Sequence, residues 1–143
     1  MQPPLTEEDF LDRIARETAR MSYPGSMSRG LRPIVLKGTK AELEKFFATS
    51  FPMTDLWHQS AALSRDYDNW HEQQSFSIAS AIRRYVPEYH EPVAVATKFL
   101  NTCMHQLMKY EPCRALWGQL HLPLDRRVFL ALASTQTDSL VNV

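Results

Sequence analysis

The chain has 143 residues, 44% hydrophobic and 22% charged, and its 16 basic and 16 acidic side chains give a formal net charge of zero. That length suits one domain able to bury an ordinary core, and the composition excludes global disorder. The neutral balance speaks against non-specific nucleic-acid binding, which needs a basic face, and two cysteines are too few for a disulfide framework.

The first helix is predicted to start at Thr6, a hydroxyl cap followed by Glu7, Glu8 and Asp9 in the first turn. Phe10, Leu11, Ile14 and Met21 supply its apolar face, and it runs to about Arg20. Ser22 to Gly30, with Pro24, Gly25 and Gly30, reads as a loop. Leu31 to Leu36 has no partner strand and reads as an extended connector. Thr39-x-x-Glu42 has the spacing of a capping box and opens a second helix with Leu43, Phe46 and Phe47 buried. Pro52 ends that segment. Thr54 and Asp55 begin a third, carrying Leu56, Trp57 and Leu63.

Asp66 to Asn69 is a polar break. A longer helix follows, with Trp70, Phe76, Ile78, Ala79, Ile82 and Tyr85 apolar and Pro87 as its stop. From Lys98 to Tyr110 the residues Phe99, Leu100, Cys103, Met104, Leu107 and Met108 form one continuous helical stripe. Ala115 to Trp117 makes at most one turn, and Gly118 and Pro123 bracket a loop. Asp125 is placed to cap a last helix with Val128, Phe129, Leu130 and Leu132 apolar. The expected fold is all-α: a single compact domain over residues 1–143, with about six or seven helices.

Several function classes drop out. The five histidines show no metal-ligand spacing, so neither a metal nor a cofactor is expected. With four glycines, the chain has no phosphate-cradling loop. The N-terminus has no basic segment followed by an apolar one, and no apolar run approaches the ~20 residues of a membrane span. The expectation is a soluble, cytoplasmic protein with reduced thiols and no membrane partner.

Two short segments carry a family resemblance. Residues 94–98 read Ala-Val-Ala-Thr-Lys, and residues 122–125 read Leu-Pro-Leu-Asp, followed by Arg126 and Arg127. Together they resemble the hairpin and the aspartate segment of helix-hairpin-helix DNA glycosylases of the 8-oxoguanine type, over roughly residues 70–134. The resemblance implies a DNA-repair glycosylase or lyase acting on an oxidised purine in double-stranded DNA. Lys98 would open a helix as the nucleophile. Asp125 would face it and stabilise positive charge developing at C1′. Ala94 and Ala96 would lie in the phosphate-binding hairpin, where that family has glycine.

Around that pair, Arg126, Arg127, Lys109 and Arg114 would hold backbone phosphates, and Trp117, Trp70 or Trp57 would stack on the flipped base, the sequence not choosing among them. Between Arg83 and Arg127 seven basic residues face four acidic ones, a local excess in keeping with such a role. The second reading is a non-catalytic helical module on the same scaffold, binding a protein or nucleic-acid partner. The two alanines, the short chain and the neutral charge point that way. Lys98 is then a solvated lysine and Asp125 a helix cap.

Overall fold

A computed structural model describes residues 4–26, 38–89 and 92–121. The described residues are all helical, without a strand, as the composition and periodicity predict. Leu31 to Leu36 and the helix expected after Asp125 lie outside them.

The first helix, α1, is one continuous run of three parts: an α turn at Glu7–Asp9, a π-helical stretch at Phe10–Ile14 and an α-helix at Ala15–Ser26. Thr6 caps it as predicted, its Oγ1 accepting from the Asp9 N–H at 3.1 Å. The loop expected from Ser22 is helix instead as far as Ser26. Phe10, Ile14, Thr18 and Ser22 recur every four residues and are all buried, with Ala15 and Ala19 beside them. Apart from Phe10 and Ile14 these are small or polar side chains, so the stripe is weakly apolar, yet it lets neighbouring helices approach closely.

The second helix, α2, is Thr39–Thr49, and its start differs from the capping box expected. Gly38 is the N-cap, in the left-handed region at φ 90°, and offers no side chain. Thr39 is already helical and fully buried, where its hydroxyl meets Tyr23. Glycine is required at 38 for two reasons. The backbone angle disfavours an L side chain, and an added Cβ would lie 1.9 Å from the Tyr85 hydroxyl oxygen.

The third helix, α3, is Met53–Leu63, one residue earlier than Thr54, because Met53 turns into the core. It kinks at Gln59, where φ is −132° and ψ 23°. Next to the kink the Ser60 hydroxyl donates back to the Leu56 carbonyl, a bond known to bend helices.

The fourth helix, α4, is Tyr67–Tyr85, and the fifth, α5, is Pro92–Leu107. Both start earlier than the apolar pattern predicts. Asp66 precedes Tyr67 and its carboxylate accepts from Asn69 Nδ2 at 2.8 Å, so the expected polar break is the first turn of α4. Phe76, expected in the core, is 53% exposed. Pro92 sits at the start of α5, where its missing N–H costs nothing. Pro92, Ala96, Phe99, Leu100, Cys103, Met104 and Leu107 make the buried face.

The sixth element is a 3₁₀ helix at Glu111–Gln119, much longer than the single turn expected. Cys113 and Leu116 are its fully buried anchors.

The six-residue return between α4 and α5 and the His71–Asn101 contact set these two helices side by side, running back along one another. α1 packs on α2 and α5, α2 also on α4, and the 3₁₀ helix on α3. The core they enclose is one cluster. Phe47 is its centre, stacked on Phe51 at 4.2 Å and edge-on to Phe99 at 5.5 Å. Phe10 packs against Trp57 at 5.2 Å. Each fully buried side chain of this size contributes about 1.5–3 kcal/mol.

Candidate functional site

The residues expected to form a catalytic hairpin do not form one. Ala94 and Ala96 lie inside α5, Ala94 exposed and Ala96 fully buried. An uninterrupted helix commits the Ala96 N–H to its own ladder, so no phosphate-facing turn exists there. Lys98 is likewise not a helix start. It is the seventh residue of α5, half-buried, with its carbonyl accepting from the Thr102 hydroxyl at 3.0 Å. No carboxylate among the described residues forms an ion pair with it. Asp125, Arg126 and Arg127 lie outside the described residues.

Lys109 and Arg114 do come together, at the turn from α5 into the 3₁₀ helix. Both are exposed. Arg114 Nη2 donates to the Lys109 carbonyl at 3.4 Å, and Lys109 Nζ lies 5.4 Å from the centre of the Tyr110 ring. Trp117 is 66% exposed, with its ring edge-on to His105 at 6.5 Å. Trp70 is buried and Trp57 half-buried against Phe10. Burial pushes both thiols, Cys103 and Cys113, up to about 12. Neither is a thiolate near neutral pH, which removes them as nucleophiles.

Two other features were not foreseen. The first is a groove of about 450 Å³ between α2 and the last turn of α4. Leu43, Phe46, Ile82 and Tyr85 give it an apolar lining, and Lys45, Arg84 and Glu42 stand among its polar lining residues with Thr39, Thr49 and Ser50. Lys45, Arg84 and Glu42 are exposed, and none of them forms an ion pair among the described residues. The start of α2 shapes this groove: Gly38 leaves the space that the Tyr85 hydroxyl occupies.

The second feature is a cluster of imidazoles where α4, α5 and the end of the 3₁₀ segment meet. His71 on α4 is 4% exposed, and its Nε2–H donates to Asn101 Oδ1 on α5 at 2.6 Å. The His121 ring lies 4.2 Å from that of His71, and its Nε2–H donates to Asp68 Oδ1 at 2.7 Å. His105 Nε2–H donates to the backbone carbonyl of His121 at 3.0 Å. Tyr67 packs its ring against both His71 and His121.

Burial, and then the neighbouring His121, hold His71 below the ordinary imidazole value, against the pull of Asn101 and Asp68. Burial and the Asp68 charge push the Tyr67 phenol up. Tyr67 Oη, Trp70 Nε1 and Ser75 Oγ, all on α4, are buried without a hydrogen-bond partner among the described residues. Among those residues no group of three or more histidine, cysteine or acidic side chains is arranged to hold a metal ion.

One signal for the cluster was present in the sequence. Tyr67, His71 and Ser75 recur every four residues, but reading Asp66–Asn69 as a break split that row. The groove had no such signal, because it depends on which helices become neighbours.

Comparison with family models, with curated proteins and with solved structures gives no match. Nothing in those comparisons identifies a glycosylase family. No helix among the described residues is long and apolar enough to cross a membrane.

Proposed function

We propose that the protein is a helical interaction module whose groove between α2 and α4 receives the apolar face of an acidic amphipathic helix from a protein partner. The groove carries this reading: an apolar floor with two exposed cations beside it that have no ionic partner among the described residues. Helix-in-groove recognition uses this combination, with apolar anchors in the groove and charge on the rim. A volume of about 450 Å³ is room for a few anchor side chains. Rim charge mainly sets association rate and partner choice, so an acidic partner is favoured over a basic one.

The test is a titration of the full chain, followed by amide chemical shifts, with a synthetic amphipathic peptide of about four turns. The peptide carries leucine and phenylalanine on one face and glutamate on the other. Shifts are expected at Leu43, Phe46 and Ile82. The double reversal Lys45→Glu with Arg84→Glu should weaken binding by about tenfold or more, as should raised salt. Absence of binding at millimolar peptide, or binding indifferent to the reversal, would reject the reading.

The lysine-nucleophile reading is decided in parallel. Borohydride treatment with 8-oxoguanine duplex DNA would give a covalent complex, lost in Lys98→Gln, only if an amine of this chain attacks C1′. A trapped complex would replace the interaction module with a glycosylase.

A further inference from the structure

The imidazole cluster lies away from the groove and rests on separate observations. Its geometry gathers onto one residue. His121 is held through its side chain by Asp68 on α4, through its ring by His71 and Tyr67 on α4, and through its carbonyl by His105 on α5. Further back, Cys113 and Leu116 anchor the 3₁₀ helix with hydrocarbon. Beyond Leu116 the residues 117–119 are exposed and 120–121 half-buried, with Leu120 packed against the core and His121 held by this polar cluster.

We propose that the cluster is a proton-operated latch: with His71 neutral it holds His121 and the end of the 3₁₀ segment against α4 and α5, and uptake of a proton by His71 releases them.

The groups facing His71 decide what a proton there meets. On its own helix these are Tyr67 and Asp68, on α5 they are the neutral Asn101 and, further along the same face, His105, and on the 3₁₀ side His121. The His121 side chain is 40% exposed and hydrogen-bonded to the Asp68 carboxylate. A proton on His71 puts charge on a buried ring 4.2 Å from that of His121, where the hydrogen-bond partner Asn101 is neutral. A buried imidazolium lacks the water that would solvate it. That penalty vanishes when His121 moves away and water reaches His71. Opening is therefore linked to one proton. The ratio of open to closed forms rises about tenfold per pH unit between the closed and open values of His71. The carboxylate of Asp68 opposes opening throughout.

The experiment follows the full chain by NMR from pH 8 to pH 5. It records the Cε1–H shift of His71 and the heteronuclear NOE of the Leu120 and His121 amides, with Leu107 as an internal rigid reference. The expected result is loss of order at Leu120 and His121 with the same midpoint as His71, while Leu107 stays rigid. His71→Gln keeps a donor for Asn101 but cannot charge, and should abolish that pH dependence. Asp68 has a side chain 90% exposed, so Asp68→Asn leaves the core alone and should raise the open fraction at every pH. The latch is overturned if His71 titrates while Leu120 and His121 stay as ordered as Leu107. It is equally overturned if their loss of order persists unchanged in His71→Gln, or if Asp68→Asn leaves the open fraction where it was.

Discussion

The two sides of α5 are held by different forces. Towards α1 and α2 it presents Phe99, Leu100, Cys103 and Leu107 to hydrocarbon, in a core where Phe47, Ile14 and Leu43 are essentially inaccessible. Towards the first turns of α4 it presents Asn101 and His105, which engage His71 and His121 by directed hydrogen bonds. The first side tolerates any side chain of similar size and shape. The second depends on tautomer, on pH and on both partners being present, because a buried donor left alone forfeits its hydration. One side of the helix supplies stability, and the other supplies an arrangement that conditions can change.

The largest effect belongs to the apolar side. Phe47→Ala removes the ring that stacks on Phe51 and meets Phe99, and leaves a cavity at the centre of the core. A loss of about 3–5 kcal/mol is expected in urea unfolding. A smaller loss would mean that the neighbouring rings collapse into the space, and that the hydrocarbon side is looser than its burial implies.

Gly38→Ala comes next, at about 2 kcal/mol. The left-handed backbone accounts for roughly 1–2 kcal/mol of that, and displacement of the Tyr85 hydroxyl for the rest. Tyr85 is 42% exposed and can swing away. The double variant with Tyr85→Ala should therefore lose the second part and keep the first, a coupling that a mutant cycle measures. Because Tyr85 lines the groove, the same substitution should also weaken peptide binding.

On the polar side, Asn101→Ala strands the Nε2–H of His71 in a buried site, at about 1–3 kcal/mol. A pH effect accompanies it in the native chain. His71 in the folded protein lies below its ordinary value of 6.5, so the unfolded chain binds the extra proton in between. Stability should rise with pH across the window from the folded value up to 6.5 and stay level above it. One such group gives a slope of at most about 1.4 kcal/mol per pH unit. Thermal unfolding of His71→Gln should lack this contribution. An equal slope in both proteins would place the titration elsewhere.

How much of this was legible in the sequence follows the same division. Phe10, Leu43, Phe47, Leu56, Ile78, Ile82 and the α5 stripe were predicted to be buried from periodicity, and they are. Apolar burial repeats with the helix and so leaves a pattern. Helix boundaries were less legible where the buried face is not hydrocarbon. Ser22 extends α1 past the last obvious apolar residue, and Tyr67 and Ala96 extend α4 and α5 before the first. Small and polar side chains pass for loop in a sequence, although close packing uses them well. The hairpin expected at Ala94–Lys98 failed for this reason: alanines that resemble a degenerate turn are also good helix formers, and Ala96 is wanted inside. The groove and the cluster depend on residues up to 53 positions apart, as with Asp68 and His121, and no local pattern records that.

The smallest effect tests the exposed end of this series. Three tryptophans occur in the chain, and nothing in their flanks ranked them. The packing does, with Trp70 6% exposed, Trp57 half-buried and Trp117 66% exposed. Trp117→Ala should therefore change stability by less than about 0.5 kcal/mol, since exposed substitutions away from special contacts rarely do more. What it removes is the edge-on contact with His105, which in turn holds the His121 carbonyl. If that contact orients His105, the variant should leave the urea midpoint unchanged and still lower the order of the His121 amide at neutral pH. A large stability loss would show that Trp117 is covered in solution. A variant with neither change would reduce the ring to a neighbour of the cluster with no part in holding it.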